Sequence, residues 1–226
     1  MAHFDLEEQE QLADLKHFWN TYGNLITWLL IIACSAVAGV NGWQYWQRTQ
    51  SVKASAVYEE VERAVQAGDL AKAEQGFADA KDKYGGTVFA QQTALLVAQA
   101  AVDKDKPDTA KAALAWVAEQ SGDEGYQAVA RLRLAALHVE AKAYDQALKQ
   151  LEREVPTEFV PLVADRRGDI FQLQGKKAEA KAEYAKAYRG LEEQSEYRRL
   201  VEMKLTALGV DPKTLRDDKA TGSARS

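Results

Sequence analysis

The chain has 226 residues, a net charge of −5, 28% charged residues and one cysteine, Cys34. That length suffices for one packed domain with short appendages, and a single cysteine excludes an intrachain disulfide while leaving the redox compartment open. The acid excess sits at the start: Asp5, Glu7, Glu8, Glu10 and Asp14 against Lys16. The nearly neutral remainder carries no nucleic-acid footprint, and no basic block lies beside the apolar segment to bind anionic lipid.

Between Lys16 and Arg48 there is no Asp, Glu, Lys or Arg. Tyr22 to Trp43 would extend about 33 Å as a helix, enough to cross a hydrocarbon core of roughly 30 Å. Trp19, Tyr22 and Trp28 crowd one end and Trp43, Tyr45 and Trp46 the other, as an interfacial belt requires. The expected membrane helix is 22–46, after an acidic tail over 1–21. A cleaved signal peptide fits poorly, because the preceding segment is acidic where it should be basic. Ile31-Ile-Ala-Cys34 resembles a lipobox, although the apolar run continues past Cys34 to Val40. Lys16 precedes the run and Arg48, Lys53 and Arg63 follow it; a literal positive-inside count puts the large domain in the cytoplasm, but long domains cross largely regardless of charge. The residues alone leave the direction open.

Downstream, a small residue precedes a bulky one by four positions in Ala73/Phe77, Ala110/Leu114, Ala147/Leu151 and Ala180/Tyr184, at spacings of 37, 37 and 33. These bracket the 34-residue tetratricopeptide period. Twelve positions before each alanine stand Val61, Ala98, Ala135 and Gly168, three of them small, as close approach of paired helices requires. The segments Ala67-Gly-Asp69, Asp103-Lys-Asp-Lys-Pro107, Lys142-Ala-Tyr-Asp145 and Gln174-Gly-Lys176 read as turns, with Asp69 and Asp145 as caps and Pro107 at a first helical turn. Helices are predicted near 51–66, 70–83, 87–103, 108–120, 124–141, 145–154, 160–174, 177–190 and 194–208. The fold class is all-α: one N-terminal transmembrane helix, then a tetratricopeptide-like α-solenoid of about four helix pairs plus a closing helix over 51–208. Residues 209–226 read as a disordered polar tail.

Of the three histidines, His3 and His17 lie in the N-terminal tail and His138 stands where the repeat expects an aromatic packing residue. No metal, cofactor or catalytic constellation is expected, and no phosphate-binding or nucleophile motif occurs. Repeat arrays of this kind bind polypeptides on the concave face of their first helices. By phase that face holds Gln92, Leu95, Gln99 and Val102, then Val129, Leu132, Ala136 and Val139, then Leu162, Asp165, Asp169 and Gln172. The first two sets are mostly apolar and the third is acidic. An alternative is that many of these residues pack between repeats or under a terminal helix.

The acidic tail running into Leu15-Lys-His-Phe18 and Tyr22-Gly23, the Gly42-Trp-Gln-Tyr-Trp46 exit, and the repeat segments Ala130-Arg-Leu-Arg-Leu-Ala135, Val163-Ala-Asp-Arg-Arg-Gly168 and Gly175-Lys-Lys-Ala-Glu-Ala180 together resemble the YfgM family, ancillary subunits of the bacterial SecYEG translocon. The resemblance implies a single-pass inner-membrane protein with a cytoplasmic N-terminus and a periplasmic repeat domain. It also implies a non-enzymatic role near the translocon, association with the membrane-anchored chaperone PpiD, and help in passing exported polypeptides to chaperones. Competing readings are a cytoplasm-facing scaffold for cell division or envelope assembly, and a lipidated outer-membrane assembly protein.

Overall fold

The computed structural model describes residues 6–215 and holds helices and no strand among them. The chain divides into two units, Met1–Val52 and Lys53–Ser226. Helix α1 (Leu6–Gln66) begins in the first unit, and its residues from Lys53 onward belong to the second. It covers most of the stretch assigned to a tail and the 47–50 interval left between helices, because Gln, Glu, Leu and Ala dominate there and no proline interrupts. Residues 1–5 of the acidic tail and 216–226 of the C-terminal tail lie outside the described residues.

The second unit continues through α2 (Leu70–Tyr84), α3 (Val88–Asp103), α4 (Pro107–Gln120), α5 (Glu124–Glu140), α6 (Tyr144–Gln150), a 3-10 turn (Thr157–Phe159), α7 (Val160–Leu173), α8 (Lys177–Gly190) and α9 (Glu196–Ala207). From α2 on, each α-helix packs against the next, and α7 also reaches α5. Capping is local: the Asp69 carboxylate accepts from Lys72 N–H at 3.0 Å, Asp123 from Tyr126 N–H at 3.0 Å, and Pro107 occupies the first turn of α4. Asp145 is not a cap; it lies inside the first turn of α6, after the cap position Ala143, where its charge suits the helix dipole. α6 stops at Gln150, short of the expected 154. The chain leaves the helix through a tight turn in which Leu151 N–H donates to Leu148 O at 2.9 Å, and Pro156 bars the helix from resuming across Val155.

The repeat is marked most sharply in the backbone. Positive φ occurs, among the described residues, at Gly68, Asp105, Lys142, Gly175 and Gly209. The spacings are 37, 37, 33 and 34. At each, the residue's own N–H donates to the carbonyl three positions back and the next N–H to the one five back, as in Gly68 N–H to Val65 O (2.9 Å) with Asp69 N–H to Ala64 O (2.9 Å) and Gly209 N–H to Thr206 O (2.9 Å) with Val210 N–H to Leu205 O (3.0 Å). This Schellman closure satisfies otherwise orphaned carbonyls and needs left-handed backbone at its pivot. The fifth instance identifies the closing helix α9 as the first helix of a fifth repeat.

Alanines 73, 110, 147 and 180 are fully buried, as are their partners Leu114, Leu151 and Tyr184, while Phe77 is half-buried against Trp116 at a ring distance of 5.5 Å. Val61, Ala98, Ala135 and Gly168 are buried opposite them. At Gly168 the requirement is absolute: a Cβ there would stand 2.5 Å from Tyr184 Cε1. The start of the expected disordered tail is packed instead, with Val210 and Leu215 against the α7–α9 core and Pro212 buried.

Candidate protein-binding surfaces

In the first unit the residues expected to anchor the helix, Trp19, Tyr22, Trp28, Trp43, Tyr45 and Trp46, are all more than half exposed. Their rings pair along the helix, Phe18 with Tyr22 at 5.1 Å and Trp43 with Trp46 at 5.2 Å. Polar side chains are satisfied by the same helix: Thr27 Oγ1 donates to Gly23 O at 2.7 Å and Asn41 Nδ2 to Val37 O at 2.8 Å. Such internal pairing lets them sit in apolar surroundings at little cost.

In the repeat unit, the side chains of α3 and α5 assigned to the binding face are partly open. Leu95 is half-buried against the α3–α5 core, Val102 is 40% exposed, Gln92 Nε2 donates to Tyr126 Oη at 3.0 Å, and Gln99 Nε2 donates to Asp103 at 3.1 Å. On α5, Val129, Leu132, Ala136 and Val139 are half-buried, Leu132 and Val139 flanking the cluster around Ala147 and Ile170.

The α7 set behaves differently. Leu162 is half-buried and Gln172 exposed, but Asp165 is 2% exposed and serves packing rather than a free acidic face. Lys204 of α9 donates from Nζ to both Asp165 carboxylate oxygens at 2.8 Å and to Asp169 Oδ1 at 2.7 Å. Tyr197 Oη donates to Asp165 Oδ2 at 2.6 Å, and Tyr184 Oη bonds Asp169 at 2.7 Å and Gln172 at 2.9 Å. Burial first, then hydrogen bonding to a carboxylate, pushes both phenols well above the usual tyrosine value. The expected acidic strip is therefore the seat of the fifth repeat's first helix.

Two polar residues of α5, Arg131 and His138, line a groove on another side of the helix. His138 stands at the repeat position that Phe171 holds in the next repeat and is likewise half-buried, at the edge of the groove, where burial followed by Lys111 lowers its pKa. Arg131 is half-buried and donates from Nη2 to Ala118 O at 3.0 Å and Gln127 Oε1 at 2.9 Å.

These features define a class: one helix long and apolar enough to cross a membrane, followed by a tetratricopeptide-like solenoid with an open, partly apolar face. The family profile described as "Tetratricopeptide repeat-like domain" matches residues 16–210. Curated relatives bear the name ancillary SecYEG translocon subunit. The Neisseria gonorrhoeae protein is 32% identical over 204 residues, covering 90% of this chain and 98% of that one. The Haemophilus influenzae protein is 31% identical over 81% of this chain and 90% of its own length, and the Escherichia coli protein 31% identical over 77% and 84%. The chain belongs to the family of ancillary SecYEG translocon subunits, with a tetratricopeptide repeat-like domain.

Proposed function

We propose that this chain is a non-enzymatic adaptor of the SecYEG translocon, anchored in the bacterial inner membrane through Tyr22–Trp46 with its repeat domain in the periplasm. The observation that carries the reading is the near end-to-end match to a translocon subunit, 98% of the Neisseria gonorrhoeae protein's length. The half-buried apolar residues Leu95, Val129, Leu132 and Val139, with exposed Val102, offer extended or helical polypeptide segments an apolar seat edged by Gln92 and Gln99. Partners in this reading are the translocon, the anchored chaperone PpiD and exported chains passed between them. The anchor raises effective concentration near the exit site, so weak contacts suffice.

Reporter fusions at Ser226 test the orientation. Active alkaline phosphatase there supports the reading, whereas an inactive phosphatase with a fluorescent cytoplasmic reporter overturns it.

A further inference from the structure

A groove of about 790 Å³ lies among α4, α5 and α6, with Lys111, Arg131, His138, Lys149 and Arg153 on its walls and Glu119 as its one carboxylate. Its size falls within the roughly 300–1,000 Å³ of ligand sites. It opens on another face from the α5 residues discussed above: at 100° per residue, Arg131 and His138 are each turned by one step from Leu132 and Val139.

The third repeat contributes Arg131 and His138 of α5 to the groove wall. Eleven positions before each left-handed pivot stand Val57, Ala94, Arg131, Ala164 and Arg198, and four positions before it Ala64, Ala101, His138, Phe171 and Leu205. In the first, second and fourth repeats both positions are apolar, and Ala64, Ala94, Ala101 and Ala164 are buried. The fifth shares the arginine, as Arg198 stacked on Tyr188, but has Leu205 at the second position; only the third repeat carries an arginine and a histidine together.

The cations are also uncompensated. Among the described residues Lys111, Arg131, Lys149 and Arg153 form no ion pair with a carboxylate. They crowd one another instead, Arg153 acting on Arg131 and Lys111 on His138. Gathering like charge around a partly buried guanidinium costs free energy unless an anion relieves it. Arg131 is pre-positioned for that task, since its bonds to Ala118 and Gln127 use one nitrogen and leave the rest of its fork to the groove. An adjoining recess of about 420 Å³ shares Arg131 and Arg153 and adds Glu124 and Glu154, so positive charge concentrates in the main groove.

We infer that this groove binds an acidic segment of a polypeptide. The amides of Gln146 and Gln150 line it beside the cations and match the donors and acceptors of a peptide backbone, while Ala115, Ala118 and Leu134 give it an apolar floor. A flat bilayer surface does not enter a recess walled by three helices. The site is independent of the translocon reading, which rests on the chain's relatives.

The test uses the full chain in uncharged detergent and a fluorescein-labelled decapeptide alternating Glu with Ala or Leu, read by anisotropy. The acidic peptide binds and weakens as salt rises, the matching lysine peptide does not bind, and the triple variant Lys111→Gln, Lys149→Gln, Arg153→Gln loses roughly tenfold or more in affinity. His138, the one histidine of the repeat unit, reports independently: its imidazole NMR titration moves to higher pH when the peptide is bound and not with the lysine peptide. Unchanged affinity in the triple variant with its melting transition intact, equal binding of the lysine peptide, or displacement by phosphatidylglycerol vesicles at matched charge would each overturn the inference. The last would assign the groove to lipid.

Discussion

Lys204 of α9 holds Asp165 of α7 through both carboxylate oxygens, each 2.8 Å from Nζ, and the aspartate is only 2% exposed. The pair ties the fifth repeat to the fourth across 39 residues of sequence. Tyr197 and Asp169 complete the knot.

Removing one partner leaves a buried charge with incomplete compensation, which costs far more than the pair itself contributes. Lys204→Met should therefore destabilise the repeat unit by about 2–4 kcal/mol, toward the lower side of such losses because Lys204 keeps some solvent contact. Adding Asp165→Asn should recover part of that. Urea unfolding of the two variants checks it; a change within about 0.5 kcal/mol for Lys204→Met would mean the knot is dispensable.

Tyr184 and Tyr197 have folded pKa values raised above the ordinary 10.0, so the folded state retains their protons when the unfolded chain would release them. Their contribution to stability is fully present below pH 10 and is lost as pH rises beyond it. Ultraviolet absorbance should show two late-titrating phenols, and stability should fall above that pH. Tyr184→Phe should remove part of the dependence.

Gly168→Ala places a methyl 2.5 Å from Tyr184 Cε1, and that ring is pinned by its bonds to Asp169 and Gln172. A loss of about 2 kcal/mol or more is expected from overpacking. Gly122→Ala, with open space around it, should change stability little. Comparing their denaturation midpoints separates close approach from a general dislike of side chains at glycines.

Lys142 holds φ at 55° in the left-handed region that glycine occupies at the equivalent Gly68 and Gly175. Lys142→Gly should stabilise by up to about 1 kcal/mol, the relief of side-chain strain outweighing the added unfolded-state freedom. Gly175→Ala should destabilise by a similar amount, and the two shifts in urea midpoint should have opposite signs.

The helices of the repeat unit were legible because alanine and aliphatic residues recur in phase and Gly68, Pro107 and Gly175 punctuate them. The fifth repeat was not, since Asp105 and Lys142 occupy the pivot without being glycine and hide its regularity, so that Gly209 read as the start of a tail. Asp165 and Asp169 looked like an open acidic face because their partner Lys204 lies far along the chain. The basic groove was invisible in one dimension: its cations come from three segments, each resembling a solvated helix surface when read singly. Aligning Arg131 and His138 with Ala94 and Ala101 in the preceding repeat would have exposed it.

Site-specific photocrosslinking in living cells tests the central claim most directly, with the reactive side chain at Val102 or Val139 and a control at exposed Glu152. The account predicts adducts to SecYEG, PpiD or exported chains from Val102 and Val139 that are missing from the control. Adducts indistinguishable from those of Glu152, or confined to cytoplasmic proteins, would contradict it.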